Sequence, residues 1–382
     1  MIPKLRFQEF TGNYNHNTFK DYVVINQGLQ IAISERLNSP LEGAYFYITN
    51  EFLRSNSLKS YWVKNPPKSS ICSYEDILMT RTGNTGIVVT DVQGVFHNNF
   101  FKIKYPSNYF NKVWLVEYLR RNAIQKQILR YAGTSTIPDL NHKDFYRLPL
   151  LHPSIKEQTK IANLLSILNS KINLLTKKKE VLETYKKGLM QKIFSQELRF
   201  KREDGTNYPE WGKVRIGDVF EVTRGKVLAT SLTKQQPNES FTYPVYSSQT
   251  KANGLMGFYD EFLFSDAITW TTDGANAGEV RFRRGKFYST NVCGVLLSEK
   301  YANTAVSIAI NRVTHKYVSY VGNPKLMNGV MSEIALPLPT SSAEMKHISS
   351  LFEKLEDKIS MIQKRIETVD KLKQGLLQQM FV

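Results

Sequence analysis

The side chains with the most chemical reach in this sequence are polar and basic ones that fall between short apolar runs. In the first part of the chain they are Lys59, Lys64, Lys68, Arg81, Asn84, His97, Asn98, Asn99, Thr134 and Ser135. In the second part they are Arg224, Lys226, Ser248, Gln249, Lys251, Asn276, Arg281, Arg283, Arg284, Thr290, Asn291 and Lys325. Arg, Asn, Gln and Ser match the directional donors and acceptors of base edges, and Lys and Arg hold phosphates. The chemistry this set suits is nucleic-acid recognition, with the cluster Arg281, Arg283, Arg284 the densest part. Catalytic signatures are missing. The histidines at 16, 97, 142, 152, 315 and 347 have no ligand spacing. Cys72 and Cys293 lie too far apart for a metal cluster or a disulfide framework. No Ser or Cys stands in a nucleophile motif. The expectation is a chain with no catalytic residue, no bound cofactor and no metal.

Two motifs are decoys. Asn65-Pro66-Pro67-Lys68 is similar to the Asn-Pro-Pro-aromatic motif of amino-methyltransferases, but Lys68 replaces the aromatic that stacks on a flipped base. No glycine-rich strand–helix turn for S-adenosylmethionine precedes it. Thr82-Gly83-Asn84-Thr85-Gly86 lacks the Gly-Lys-Ser/Thr of a phosphate loop and reads as a tight turn carrying Asn84.

The charge agrees with a polyanion partner. There are 51 Lys and Arg against 34 Asp and Glu in 382 residues, a formal charge of +17. Residues 1–194 carry net +13 and residues 195–382 net +4. Basic surfaces attract nucleic acid by long-range attraction and counterion release, with an acidic membrane surface as the second class of partner. Hydrophobic residues at 41% suffice for real cores. No stretch approaches the ~20 apolar residues of a membrane span, and the first residues carry no apolar run of a signal peptide. The sequence therefore predicts a cytoplasmic protein.

What must position these side chains is a repeated framework. Lys186-Lys187-Gly188-Leu189-Met190-Gln191-Lys192-Ile193-Phe194 parallels Lys373-Gln374-Gly375-Leu376-Leu377-Gln378-Gln379-Met380-Phe381. The same offset pairs Glu157 with Glu344, Ile161 with Ile348, and Glu180 with Glu367. Leu5-Arg6-Phe7 echoes Leu198-Arg199-Phe200, and Leu148-Pro149-Leu150 echoes Leu336-Pro337-Leu338. Residues 76–86 resemble residues 266–278, each a strand followed by a Gly-rich turn. Elsewhere the two halves share little.

Each half ends in a heptad pattern. One seam runs through Ile161, Leu165, Leu168, Ile172, Leu175, Leu182 and Leu189, the other through Ile348, Phe352, Leu355, Ile359, Ile362, Ile366, Val369 and Leu376. Alternating steps of four and three keep one stripe facing a partner helix. Ser154 with Glu157 has capping-box spacing, and Ser341 or Ser342 could cap the second helix. At 1.5 Å per residue each helix spans roughly 55–60 Å. Pairing with each other is the simplest packing, and packing of each on its own globular part is the alternative. Lysines 179, 186 and 373 on the stripe mark either docking ends or solvated turns. Gly188 and Gly375 inside helical patterns cost about 1 kcal/mol each and suggest close packing of another backbone or a helix end.

The expected fold class is α+β. Residues 1–153 and 195–340 read as two β-rich mixed domains in tandem repeat. Residues 154–194 and 341–382 read as long helices that pair with each other as a coiled coil. Strands are expected at Tyr45-Phe46-Tyr47-Ile48, Gly86-Ile87-Val88-Val89, Phe100-Phe101-Lys102-Ile103, over 216–222 and over 292–297, and helices at 111–130 and 301–318.

A variable head, Leu-Pro-Leu into a heptad helix ending in Lys-x-Gly-Leu-x-Gln-x-(Ile/Met)-Phe, then the same again, resembles the specificity subunit of Type I restriction–modification systems. The resemblance covers essentially the whole chain. Its most specific parts are 186–194, 373–381 and the Arg81-Thr82-Gly83 turn. It implies two target-recognition domains in pseudo-twofold arrangement, held by spacer helices that pair as an antiparallel coiled coil, each domain reading one half of a split, asymmetric sequence in double-stranded DNA. It also implies methyltransferase subunits, two in number, around the helices, and restriction subunits joining that complex. S-adenosylmethionine, ATP and Mg would sit on those partners, and adenine would be the modified base. Two other readings stay open: a coiled-coil adaptor whose heads bind proteins, and a self-sufficient methyltransferase.

Overall fold

A computed structural model describes residues 1–54, 59–133, 136–248 and 251–382. The chain divides into two compact units, Met1–Thr176 with Arg365–Val382, and Lys177–Lys364. Among the described residues no helix is long and apolar enough to cross a membrane.

In the first unit, head 1 is built from β1 (Asn15–Thr18), β2 (Val24–Gln27), β3 (Ala44–Ile48), β4 (Trp62–Lys64), β5 (Ile71–Cys72), β6 (Ile77–Thr80), β7 (Val88–Val89), β8 (Gly94–Phe96), β9 (Phe100–Lys104) and β10 (Pro149–His152). Its helices are α1 (Lys112–Arg120), α2 (Asn122–Ala132) and α3 (His142–Tyr146). The single helix expected over 111–130 is two, because Arg121 takes an extended conformation at the junction. The strand orders are β2-β9-β6-β7 and β4-β3-β8-β5, with β3 and β8 parallel.

In the second unit, head 2 contains β11 (Gly212–Arg215), α5 (Ile216–Val219), β12 (Glu221–Arg224), β13 (Tyr243–Tyr246), β14 (Leu255–Tyr259), β15 (Phe264–Thr271), β16 (Val280–Ser289) and β17 (Cys293–Leu297). It continues with α6 (Thr304–Thr314), α7 (Asn328–Glu333) and β18 (Ala335–Leu338). Residues 216–222, expected as one strand, are a helical turn running into a strand. Ile216 is buried there, and its carbonyl accepts the amide of Phe220. The main sheet has the order β12-β17-β15-β16-β13-β14.

The heads share more than their sequences do. Head 2 holds β15 and β16 as long strands, whereas head 1 breaks the equivalent path into β5/β6 and β7/β8. One break lies at Ser73–Asp76, where Ser73 donates its amide to the Asp76 carboxylate, and the other contains Asp91 at φ 58°. The parallel pair β3/β8 corresponds to β13/β16. In head 1 the amides of Gly83 and Leu140 donate to Pro138 and Arg81; in head 2 those of Gly274 and Leu326 donate to Pro324 and Thr272. Each Gly-rich turn is thus stapled by the same two backbone bonds, with glycines at positive φ where a side chain would be strained.

The two long helices are present, α4 (Ile155–Phe194) and α8 (Ser342–Met380). None of the seam residues is exposed. In the first unit Ile161 and Leu165 share a core with Leu377, Met380 and Phe381, so the start of α4 lies against the end of α8. In the second unit Ile193, with Leu189 beside it, shares a core with Ile348, Phe352 and Leu355, the reverse pairing. The helices are therefore antiparallel in each unit, and each also packs on the head there, which joins the two packings expected as alternatives. Ser154 and Ser341 accept the amides of Glu157 and Glu344, so Ser341 is the second cap. The glutamate side chains do not close capping boxes; they turn inward to Arg6 and Arg199. The seam lysines are ion-paired: Lys186 with Glu356, Lys179 with Glu183, and Lys373 with the buried Glu117 at 2.9 Å. Gly188 and Gly375 lie within the helices, and an added Cβ at either would meet nothing within 4 Å, so neither serves a close backbone approach.

Candidate nucleic-acid interface

Head 1 gathers several of the sequence-derived candidates at one loop edge. The β8–β9 turn carries His97, Asn98 and Asn99, all half-buried. Gly28 makes this turn possible: a Cβ there would stand 2.1 Å from the Phe96 carbonyl oxygen and 2.3 Å from that of His97. The Asn98 side-chain amide donates to Gln30 at 3.2 Å, and the Asn98 backbone carbonyl accepts from the Gln27 side chain at 3.1 Å. Arg81 donates its backbone amide to Asn99 at 2.7 Å, which ties the Gly-rich turn to the same edge. Its guanidinium pairs with Asp139 at 2.7 Å, donates to the Leu140 carbonyl and stacks on Phe101, so Arg81 supports the turn. Asn84 is exposed at the tip. Lys59 is exposed and lines a cavity with His97 and Asn99. Lys64 and Lys68 are exposed on β4 and on the turn preceding β5. Thr134 and Ser135 lie outside the described residues.

Sequence reasoning missed Asn50, Arg36 and Asn26. Asn50 donates to the Thr82 carbonyl at 3.2 Å, linking the loop after β3 to the Gly-rich turn. The Oδ1 atoms of Asn26, Asn50 and Asn98 are buried without a hydrogen-bond partner. Buried acceptors normally find partners, so these three are the unsatisfied polar atoms of this edge. Asn50 follows the strand Tyr45-Phe46-Tyr47-Ile48 by two residues, and that strand-end position was the available signal.

Head 2 repeats the edge with other side chains. Lys226 donates its amide to Ser289, and Thr290 donates to Tyr246, as Leu29 does to Phe96 and His97 to Ile48 in head 1. Ser248 and Thr290 thus hold the places of Asn50 and His97. Thr290 is buried, and its hydroxyl and that of Ser289 lie against the Cys293 thiol, while Asn291, Lys226 and Arg224 are exposed. Asn276 is half-buried on the Gly-rich turn, and exposed Lys325 lies 4.0 Å from Asp273 across the turn's staple. Gln249 and the side chain of Lys251 lie outside the described residues.

The arginine cluster is not in a loop but on β16. It lines a cavity of about 690 Å³ whose other walls are α4, α6 and α8. Arg281 pairs with Glu279, and Arg284 with Glu353 of α8 at 2.7 Å. Arg283 lies 3.8 Å from the centroid of the Tyr246 ring and donates to Thr269 and Asn253. Burial pushes its pKa down. Cys72 and Cys293 are buried, with thiols pushed up to about 11 by burial. No cluster of three His, Cys, Asp or Glu that could hold a metal occurs among the described residues.

A duplicated α+β framework carrying unlike polar edges defines a two-headed recognition protein. A family model for the Type I restriction modification DNA specificity domain matches residues 32–184 and again residues 208–371. The chain belongs to that family. Similar proteins include two putative type I specificity subunits of Mycoplasma pneumoniae. One, an N-terminal part, is 38% identical over 136 residues, covering 35% of this chain and 71% of that protein. The other is 31% identical over 223 residues, covering 56% and 78%. The crystal structure of a Type I restriction–modification S subunit from M. genitalium superposes with a TM-score of 0.72 at 17% identity, covering 100% of this chain and 99% of that one, a likeness of fold.

Proposed function

We propose that this chain is the DNA-reading, non-catalytic subunit of a Type I restriction–modification complex. Each head reads one half of an asymmetric site in duplex DNA, and the paired helices set the interval between the halves. Residues 1–153 and 195–340 are the target-recognition domains, with 154–194 and 341–382 as spacer helices. Methyltransferase subunits bind it, and restriction subunits join them; S-adenosylmethionine, ATP and Mg belong to those partners. The carrying observation is that equivalent backbone bonds, the amide of His97 to Ile48 in head 1 and that of Thr290 to Tyr246 in head 2, set unlike side chains at the same place in the two heads. Like frames with unlike reading groups suit unlike half-sites.

Replacing residues 1–153 by another head should change one half of the methylated sequence and leave the other unchanged, as read by mapping methylated bases in the host genome. A change in both halves or in neither overturns the reading. Binding to duplex DNA should also weaken steeply with salt. Salt-independent association with a protein instead would favour an adaptor, and robust methyl transfer by the chain alone would favour a self-sufficient enzyme.

A further inference from the structure

Beside its Gly-rich turn, head 2 carries a stalk with an apolar tip. The Ser319 amide donates to the Lys325 carbonyl at 2.8 Å and the Lys325 amide to the Ser319 carbonyl at 2.9 Å, which closes a loop over residues 320–324. The stalk is rooted in the core. Val318 and Leu326 are buried there, and the Trp270 indole donates to the Leu326 carbonyl at 2.9 Å. It is also strapped to the Gly-rich turn, by the amide of Gly274 to Pro324 at 3.0 Å and that of Leu326 to Thr272 at 2.9 Å. The Thr272 amide in turn donates to Val292 at 3.1 Å, so the stalk, Asn276 and the turn carrying Thr290 and Asn291 belong to one edge. Gly322, at φ 75°, bends the chain back. Tyr320 is 70% exposed and Val321 91%, the highest value of any large apolar side chain among the described residues.

Side chains this exposed add nothing to the core, so an apolar tip on a braced stalk at a polar edge marks a contact with something outside the chain. Its surroundings favour a polyanion. From Lys300 to Ser332 the chain has no Asp or Glu but carries Lys300, Arg312, His315, Lys316 and Lys325, and His315, Lys316 and Lys325 are exposed. Lys325 faces Asp273 at 4.0 Å. In duplex DNA the major-groove base edges present donors, acceptors and one apolar group, the C5-methyl of thymine. Val321 has no polar side-chain atom, so against any other edge it would strand a base donor or acceptor. We propose that head 2 reads a thymine with this tip, Val321 packing on the methyl group with Tyr320 beside it. The proposal rests on the DNA-reading function above and adds a base to it. Head 1 closes a loop at the same place, the Asp139 amide donating to Ala132 at 3.1 Å, but its residues 133–138 are Gly-Thr-Ser-Thr-Ile-Pro, without an aromatic side chain.

The test uses the chain assembled with its methyltransferase subunits and duplexes carrying the mapped site. In the half assigned to head 2 by domain exchange, each thymine on either strand is replaced in turn by deoxyuridine, which lacks only the methyl group. One position should lose affinity about fourfold, the worth of one buried methyl. In Val321→Ser that loss should vanish, and in Val321→Ile it should persist. Neither substitution removes a core contact, so both variants should keep the Tm of the unmodified chain. Deoxyuridine effects in the other half-site should be the same in every variant. A head 2 half-site without an A·T pair, a half-site in which no thymine shows the loss, or a loss that Val321→Ser leaves intact overturns the proposal while sequence-specific binding stands. So does a Val321→Ser variant that weakens binding to all sequences equally, which makes the tip a sequence-blind contact, or one that sheds the methyltransferase subunits, which makes it a protein contact. If the unmodified complex shows no sequence preference, the DNA-reading function falls with it.

Discussion

Arg6 grips Glu157 with two parallel bonds, Nε to Oε1 at 2.9 Å and an Nη to Oε2 at 2.8 Å, across 151 residues of sequence. The carboxylate is 1% exposed and also accepts from Tyr14, whose hydroxyl burial pushes well above the ordinary tyrosine range. Arg199 and Glu344 repeat the pair in the second unit, with Trp211 donating to the same carboxylate. In both units the segment preceding the head is clamped to the first turn of the following long helix. A buried bidentate pair fixes geometry more than it adds net stability, whereas removing one partner strands a buried charge.

Arg6→Ala should therefore destabilise the first unit by about 3–5 kcal/mol, with Arg199→Ala acting alike on the second. Chemical denaturation of each variant measures this. A loss below about 1 kcal/mol would mean that Glu157 finds solvent.

The end of α8 is anchored by Phe381, which stacks on Trp114 with ring centroids 5.5 Å apart and lies under Arg121. Phe381→Ala should cost about 3–5 kcal/mol. Hydrogen exchange should quicken over residues 373–381. Phe194 stacks on Phe352 under Arg312 in the second unit but is only half-buried, so Phe194→Ala should cost less.

Gly188→Ala and Gly375→Ala should stabilise the chain by about 0.5–1 kcal/mol each, because the added methyl meets open space and helix propensity improves. A rise in Tm is expected. A fall would reveal strain at a helix position the structure leaves open.

Acid should weaken head 1. Burial holds His97, His142 and His152 below the ordinary histidine pKa of 6.5. Their neutral forms are favoured in the folded state, so this stability is present above pH 6.5 and is lost as pH falls through the lower folded values. His152 donates from Nδ1 to Pro153 while its buried Nε2 has no partner. His152→Phe should therefore flatten the decline of Tm between pH 7.5 and 5.5. An unchanged slope would assign the acid sensitivity elsewhere.

Deleting one heptad from each long helix keeps the seam in phase and should shorten the unread interval in the methylated sequence. Deleting four residues from each rotates the stripe and should abolish assembly. Mapped methylation sites report both outcomes, and an interval that ignores the heptad deletion rules out the helices as its ruler.

The sequence by itself determined the doubling, the heptad seam and the Gly-rich turns, because heptad spacing and glycine placement are local signals that survive divergence; the antiparallel sense of the helices came from the cores they share in space. It also identified the loop residues His97, Asn98 and Asn99, whose polarity between strands marks a turn. Tertiary structure alone decided what those signals mean in space. Arg281 and Arg284 read as loop arginines facing a ligand, yet a strand turns them to Glu279 and Glu353, and pairing with distant carboxylates leaves no trace in local sequence. Lys373 reads as part of a docking end or a solvated turn, yet it pairs with Glu117, buried 256 residues away. The common strand order of the two heads is likewise set by backbone hydrogen bonds, which constrain few side chains. That is why the frame persisted while Asn50 and His97 in one head became Ser248 and Thr290 in the other.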